Sequence, residues 1–165
     1  MSSRKYIKEE SGYSEAELIE IIEQGIPFNR HLGIMVEHFS QGEIIIKLQP
    51  KDEYIGDPAR PALHGGIIAT LADTAAGLAV FTILKKPSTT STIDLRVDYL
   101  RPGDIDKTLF AHSKVLRNGN RVCFAQTTVY QNSIDQPIAV SAATYSIVPH
   151  KDLPTYQTRG KSLDL

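Results

Sequence analysis

The chain has 165 residues, 41% of them apolar and 22% charged, the make-up of one globular domain able to bury its own core. A formal net charge of -1 leaves no basic footprint for nucleic acid. The single cysteine, Cys123, excludes an intrachain disulfide and points to a reducing compartment.

The opening MSSRKYIKEE lacks the apolar run of a signal peptide, so the expected location is the cytoplasm. Residues 1–12 read as a polar tail. Ser14 and Glu17 have capping-box spacing, and Leu18, Ile21 and Ile22 give one apolar face to a short amphipathic helix ending toward Gly25 and Pro27. Pro27 to Gly33 reads as an irregular or single-turn connector. Two strands are expected near Ile34–Phe39 and Glu43–Gln49, turned at Ser40-Gln41-Gly42. Pro50 to Ala62, with prolines at 50, 58 and 61, reads as a loop.

Leu63 to Leu84, LHGGIIATLADTAAGLAVFTIL, is apolar for about five turns, a helix of roughly 30 Å. Asp73 is its only ionisable residue between His64 and Lys85. Apolar residues cover nearly the whole circumference, which predicts burial. Thr70, Asp73, Thr74 and Gly77 repeat at i, i+3, i+4 and i+7, so the polar and small residues form one stripe. A solvent-facing stripe is one explanation, yet such faces carry Lys, Glu and Gln, and this one has none. A membrane span is disfavoured, because an Asp at its middle costs roughly 2.5 to 3.5 kcal/mol.

After Lys85-Lys86-Pro87 the period changes from 3.6 to 2. Ile93, Leu95, Val97 and Tyr99 alternate with Asp94, Arg96 and Asp98, which predicts a strand with one wet face. Arg101-Pro102-Gly103-Asp104 turns the chain into a strand near Thr108–Arg117. Asn118-Gly119-Asn120 is a hairpin signal, and Arg121–Gln131 the strand beyond it. Asn132 to Pro137 turns again into Ile138–Val148, whose Ala139, Ser141, Ala142 and Ala143 let a helix approach closely. The tail from Lys151 is polar and aperiodic. Hairpin-length links make the sheet mostly antiparallel, and its apolar face needs a cover that only the long helix supplies. An antiparallel sheet wrapped around one long central helix, with a short N-terminal helix beside it, is the α+β hotdog fold.

The chain has no G-x-S-x-G elbow, Walker loop, H-E-x-x-H or CxxC pair, which disfavours serine hydrolase, NTPase and zinc chemistry. The five histidines, at 31, 38, 64, 112 and 150, show no ligand spacing, and no metal is expected. What remains is a helix N-terminus with two glycines and a carboxylate two turns inside. The first N–H groups of a helix lack partners and lie at the positive end of its dipole. Glycine there lets a ligand oxygen reach the backbone, an arrangement that stabilises an oxyanion. A tight loop-to-helix junction explains Gly65-Gly66 equally well.

Asp73 supplies the second half. A carboxylate sheltered from water and still ionised is a strong base or nucleophile, although a buried Asp also serves to bond a neighbouring loop. With no paired general acid the leaving group must depart unassisted. A thiolate does so, since a cysteine-like thiol has a pKa of about 8.5. Thioester hydrolysis therefore fits. Gly65 and Asp73 stand about 12 Å apart along one helix axis, too far to touch one carbonyl. Two such helices packed antiparallel across a two-fold axis would bring Asp73 of one to Gly65 of the other, a composite site at a homodimer interface.

The run Ala62-Leu63-His64-Gly65-Gly66, then Ala69-Thr70-Leu71-Ala72-Asp73 and Gly77, resembles the signature of the PaaI-like hotdog acyl-CoA thioesterases. The stretch from Thr92 to Pro102, TIDLRVDYLRP, is similar to that family's first strand after the helix. The likeness spans Gly33 to Val148 in the same order of elements. It implies a thioesterase domain over 31–150, preceded by a tail and flanking helix over 1–30 and followed by a polar tail over 151–165. It further implies an acyl-CoA hydrolase, dimeric or a dimer of dimers, with no cofactor beyond the coenzyme A of its substrate. On this likeness Gly65 donates its N–H to the thioester oxygen with His64 beside it and Gly66 lining the substrate. Asp73 of the partner acts as general base or nucleophile, and Thr92 positions the carboxylate or the water. Asp57 stands where many relatives carry an Asn that helps to place water. His64 also reads as a plain N-cap or loop-packing residue. Arg60, Lys85, Lys86, Arg101 and Arg117 are available to coenzyme A phosphates. The rival readings are an enoyl-CoA hydratase built on Asp57 and His64, and a non-catalytic acyl-CoA binding module.

Overall fold

The computed structural model describes residues 15–84 and 88–149. The polar tails, the cap at Ser14 and the Lys85-Lys86-Pro87 break lie outside the described residues. Helix α1 (Glu15–Glu20) runs into a π-helical turn over Ile21–Gly25, and Leu18 and Ile22 sink into the same core as the sheet. The expected connector at Pro27 is instead helix α2 (Pro27–Leu32). Proline is preset for the first turn, and Gly33, at φ 76, closes the helix in the left-handed region. The buried Asn29 side chain donates to the Ile22 carbonyl at 2.9 Å, tying α2 to the π turn.

Strands β1 (Ile34–Ser40) and β2 (Glu43–Leu48) form the expected hairpin, with Gly42 at φ 76 in its turn. The stretch read as a loop holds a 3-10 turn at Asp52–Tyr54 and a small hairpin, β3 (Ile55–Asp57) with β4 (Ala62–Leu63). Helix α3 (Gly65–Phe81) follows directly, then β5 (Ser88–Tyr99), β6 (Leu109–Asn118), β7 (Val122–Tyr130) and β8 (Ala139–Pro149). Six strands make one antiparallel sheet in the order β1-β2-β6-β7-β8-β5, with α3 against its inner face. Among the described residues no helix is long and apolar enough to cross a membrane.

The core is aliphatic on the sheet and small on the helix. Ile44, Ile46, Leu48, Leu109 and Val129 pack with Ile68, Leu71, Ala72, Ala75 and Ala79 of α3. A second cluster joins Ala76 and Val80 to Cys123, Ala125, Ala143 and Tyr145. Burial does not extend around α3 as its composition suggested: Thr70, Asp73, Thr74 and Gly77 are half-exposed along one side.

The two sheet edges differ. On β1 the Val36 N–H donates to Glu23 Oε1 at 2.8 Å, which blunts that edge. Strand β5 forms the opposite edge, twelve residues long and starting five residues before the expected Ile93. It bulges between Thr92 and Asp94. One extra residue reverses the alternation, so Thr92 shares the helix side with Leu95, Val97 and Tyr99, and Ile93 is turned out, 58% exposed. The same parity corrects β8: Ala139, Ser141 and Ala143 face α3, whereas Ala142 faces away.

Candidate active site

Two groups of polar atoms gather on α3, one at its start and one at its middle. At the start, His64 is the N-cap in extended conformation, and its Nδ1 accepts the Gly66 N–H at 2.9 Å. A Cβ on Gly66 would stand 2.8 Å from that nitrogen, so the cap requires glycine here. Because Nδ1 accepts, the neutral ring carries its proton on Nε2. The Gly65 N–H, one residue earlier, has no acceptor among the described residues. The donor left open at the positive end of α3 is therefore that of Gly65. Tyr99 lies beside it and donates its hydroxyl to the Gly65 carbonyl at 2.9 Å.

A pocket of about 280 Å³ opens at this end, lined by Gly56, Asp57, Arg60, Leu63, His64 and Gly65 among others. Asp57 Oδ2 accepts from Arg60 Nε at 2.7 Å, and Oδ1 from the Ala59 N–H at 3.0 Å. The Arg60 bond first, and the Ala59 N–H second, hold the Asp57 carboxyl below its ordinary range. Asp57 and His64 line the same pocket, and the Asp57 carboxylate there is paired with Arg60. Of the described cations considered for phosphate binding, Arg60 lines the pocket, and Arg101 and Arg117 do not.

The second group centres on Asp73. Its Oδ1 accepts from Thr92 Oγ1 at 3.0 Å and from the Tyr145 hydroxyl at 2.8 Å. The same Tyr145 hydroxyl lies 2.7 Å from the Asp73 carbonyl oxygen. Oδ2 takes no hydrogen bond from the described residues. Burial, and after it the Asp73 carboxylate, push the Tyr145 hydroxyl well above its usual range, so it stays a donor. Among the described residues the partners of the Asp73 side chain are both on strands, not loops.

Within one chain the structure thus brings together Asp57, His64, Gly65 and Gly66, and separately Asp73 with Thr92. Two turns of helix keep the groups apart. Tyr145 and Tyr99 were missed: each sits where the alternation reads as ordinary apolar face, and only packing against α3 reveals its hydroxyl. A signal did exist at Tyr145, the first bulky residue after Ala139, Ser141 and Ala143 in the inward series of β8. Among the described residues no three His, Cys, Asp or Glu side chains meet as a metal site.

The family profile described as Thioesterase superfamily matches residues 61–138, which contain both groups except Asp57, Arg60 and Tyr145. The chain is 39% identical over 137 residues to the medium/long-chain acyl-CoA thioesterase YigI of Escherichia coli, covering 74% of this chain and 86% of that protein. A crystal structure from Shewanella oneidensis, described as related to the thioesterase superfamily, superposes with a TM-score of 0.69 at 30% identity, over 79% of this chain and 93% of that one. A mutant of the phenylacetic acid degradation protein PaaI from Thermus thermophilus gives 0.64 at 25% identity, over 73% and 97%.

Proposed function

The chain belongs to the thioesterase superfamily, among its PaaI-like hotdog members, and from that premise we propose that it hydrolyses an acyl-CoA thioester at a site shared between two copies. In this reading the thioester oxygen accepts the open Gly65 N–H of one copy, and the carbonyl carbon faces Asp73 Oδ2 of the other. The observation that carries it is the pair of reactive atoms that no described residue bonds, Gly65 N–H and Asp73 Oδ2, two turns apart on one helix. An antiparallel second copy of α3 on the half-exposed side joins them, and the long open edge of β5 offers backbone for pairing between copies.

Asp73 then takes a proton from water as its oxygen adds to the carbonyl carbon. Charge passes to the carbonyl oxygen at the Gly65 N–H. Collapse of the intermediate breaks the C–S bond, and the coenzyme A thiolate leaves without a general acid. Direct attack by Asp73, through an anhydride that water then cleaves, uses the same geometry. Thr92 positions the carboxylate, Gly66 and His64 shape the oxyanion end, and Asp57 with Arg60 lines the approach. Arg60 keeps its outer guanidinium nitrogens for a coenzyme A phosphate. Because YigI is named for medium and long chains, acyl-CoAs of those lengths are the first substrates to assay.

Release of free thiol from acyl-CoA tests the activity. Subunit mixing tests the shared site, using Asp73→Asn and Gly65→Pro. Proline removes the N–H yet suits the first helical position, and the extended His64 before it is compatible. Each variant alone should be inactive. Random mixed dimers hold one intact site in half of the molecules, restoring about a quarter of wild-type activity. No recovery on mixing would refute the shared site.

A further inference from the structure

Tyr145 has one proton and two acceptors, and both acceptors belong to Asp73. Its hydroxyl lies 2.7 Å from the Asp73 carbonyl oxygen and 2.8 Å from Oδ1. A carboxylate oxygen beside its own backbone carbonyl is repelled by it, so an Asp on a free helix surface turns away to water. Here a shared donor bridges the two oxygens and fixes the side chain. Thr92 adds a second hydroxyl to Oδ1 at 3.0 Å.

The fold supplies this arrangement through three separate features. Tyr145 and Thr92 are cross-strand partners on β8 and β5. The bulge after Thr92 turns its hydroxyl toward α3. Gly77, one turn beyond Asp73, gives the phenol a flat surface to lie on: even a Cβ there would stand only in van der Waals contact with Tyr145 Cε1, at 3.4 Å. Tyr145 is 2% exposed, so its hydroxyl has no water to exchange for Asp73.

We infer that Tyr145 is a positioning residue that locks Asp73 in the rotamer presenting Oδ2 to the reaction, with Oδ1 saturated by two hydroxyl donors. This rests on the thioesterase reading above. It goes further by assigning the reactive oxygen and the residue that selects it.

The test is a double-mutant cycle in the full-length protein, read by kcat and KM for acyl-CoA and by thermal melting. Tyr145→Phe keeps the ring in place and removes one oxygen. It should lower kcat about tenfold or more, the scale of a lost hydrogen bond to a charged group, with KM unchanged. In an Asp73→Asn background the same change should cost nothing further, because the group it positions is already disabled. Undiminished kcat in Tyr145→Phe, a rise in KM alone, or equal losses in both backgrounds would each overturn the inference. A wild-type protein that releases no thiol from any acyl-CoA would instead overturn the function on which it rests.

Discussion

His64 Nδ1 accepts the Gly66 N–H at 2.9 Å, so the ring that resembles a catalytic histidine also holds the first turn of α3 in place. Losing an N-cap costs about 1 kcal/mol. His64→Ala should lose about that much stability in urea unfolding, and activity with it, because the Gly65 N–H is aimed by the same turn. His64→Asn keeps a side-chain acceptor of N-cap quality and should recover both. Full stability with activity still absent in His64→Asn would show that the ring acts on the substrate through Nε2 instead.

Asp73→Asn preserves volume and keeps an acceptor for Thr92 and Tyr145 but removes the basic oxygen. Its kcat should fall by about 10²- to 10⁴-fold, the usual worth of a positioned base. Acyl-CoA binding, measured by calorimetry, and the melting temperature should stay close to wild type. Loss of binding together with turnover would assign Asp73 to substrate recognition.

Much of this was readable from the chain because α3 is unusual: one acid in a long apolar run has few structural reasons to exist. The separation of the two polar groups was foreseeable from helix rise alone, since eight residues separate Gly65 from Asp73. The bulge at Thr92 was not foreseeable. A run of five Ser and Thr residues carries no periodicity to reveal a register shift, and Ile93 therefore read as an inward residue. Tyr145 was hidden for a related reason. Its hydroxyl matters only through Asp73, a contact across 72 positions that no local pattern encodes. The helix at Pro27 was underread because six residues are too few to show a helical period, although proline at its start and Gly33 at its end mark it.

Acid should weaken the sheet through Glu43. This residue pairs across β2 and β6 with Lys114 at 3.1 Å and also bonds His112. Burial works to raise its pKa, but the hydrogen bonds from His112 and Lys114 outweigh it and leave the carboxyl lowered from 4.5. A folded-state value below the unfolded one adds stability above pH 4.5, and that stability is lost as pH falls through the lower folded value. Asp57 and Asp104 are lowered likewise and act in the same direction. Urea unfolding should therefore show a decline between about pH 5 and pH 3. Glu43→Gln should be less stable than wild type at pH 7, by about 1 kcal/mol or less, and should decline less steeply in acid. Parallel pH curves for the two proteins would remove Glu43 from the account.

Cys123 should be silent to thiol reagents until the sheet opens. It is fully buried on β7, facing Ala76 and Val80 of α3, and burial raises its pKa and so suppresses the thiolate that reacts. An aromatic disulfide reagent should therefore detect no protein thiol in the native state, and the one cysteine per chain only in denaturant. The assay of thiol release from acyl-CoA then carries no background from the enzyme. The same burial sets the cost of substitution. Cys123→Ala leaves a small void and should cost about 1 kcal/mol. Cys123→Ser matches the volume more closely but buries a hydroxyl, which costs about 1–3 kcal/mol where it finds no acceptor. Serine should therefore be the worse replacement in thermal melts. Rapid labelling of the native protein, or a serine variant as stable as the alanine one, would mean that β7 parts from α3 far more readily than its packing indicates.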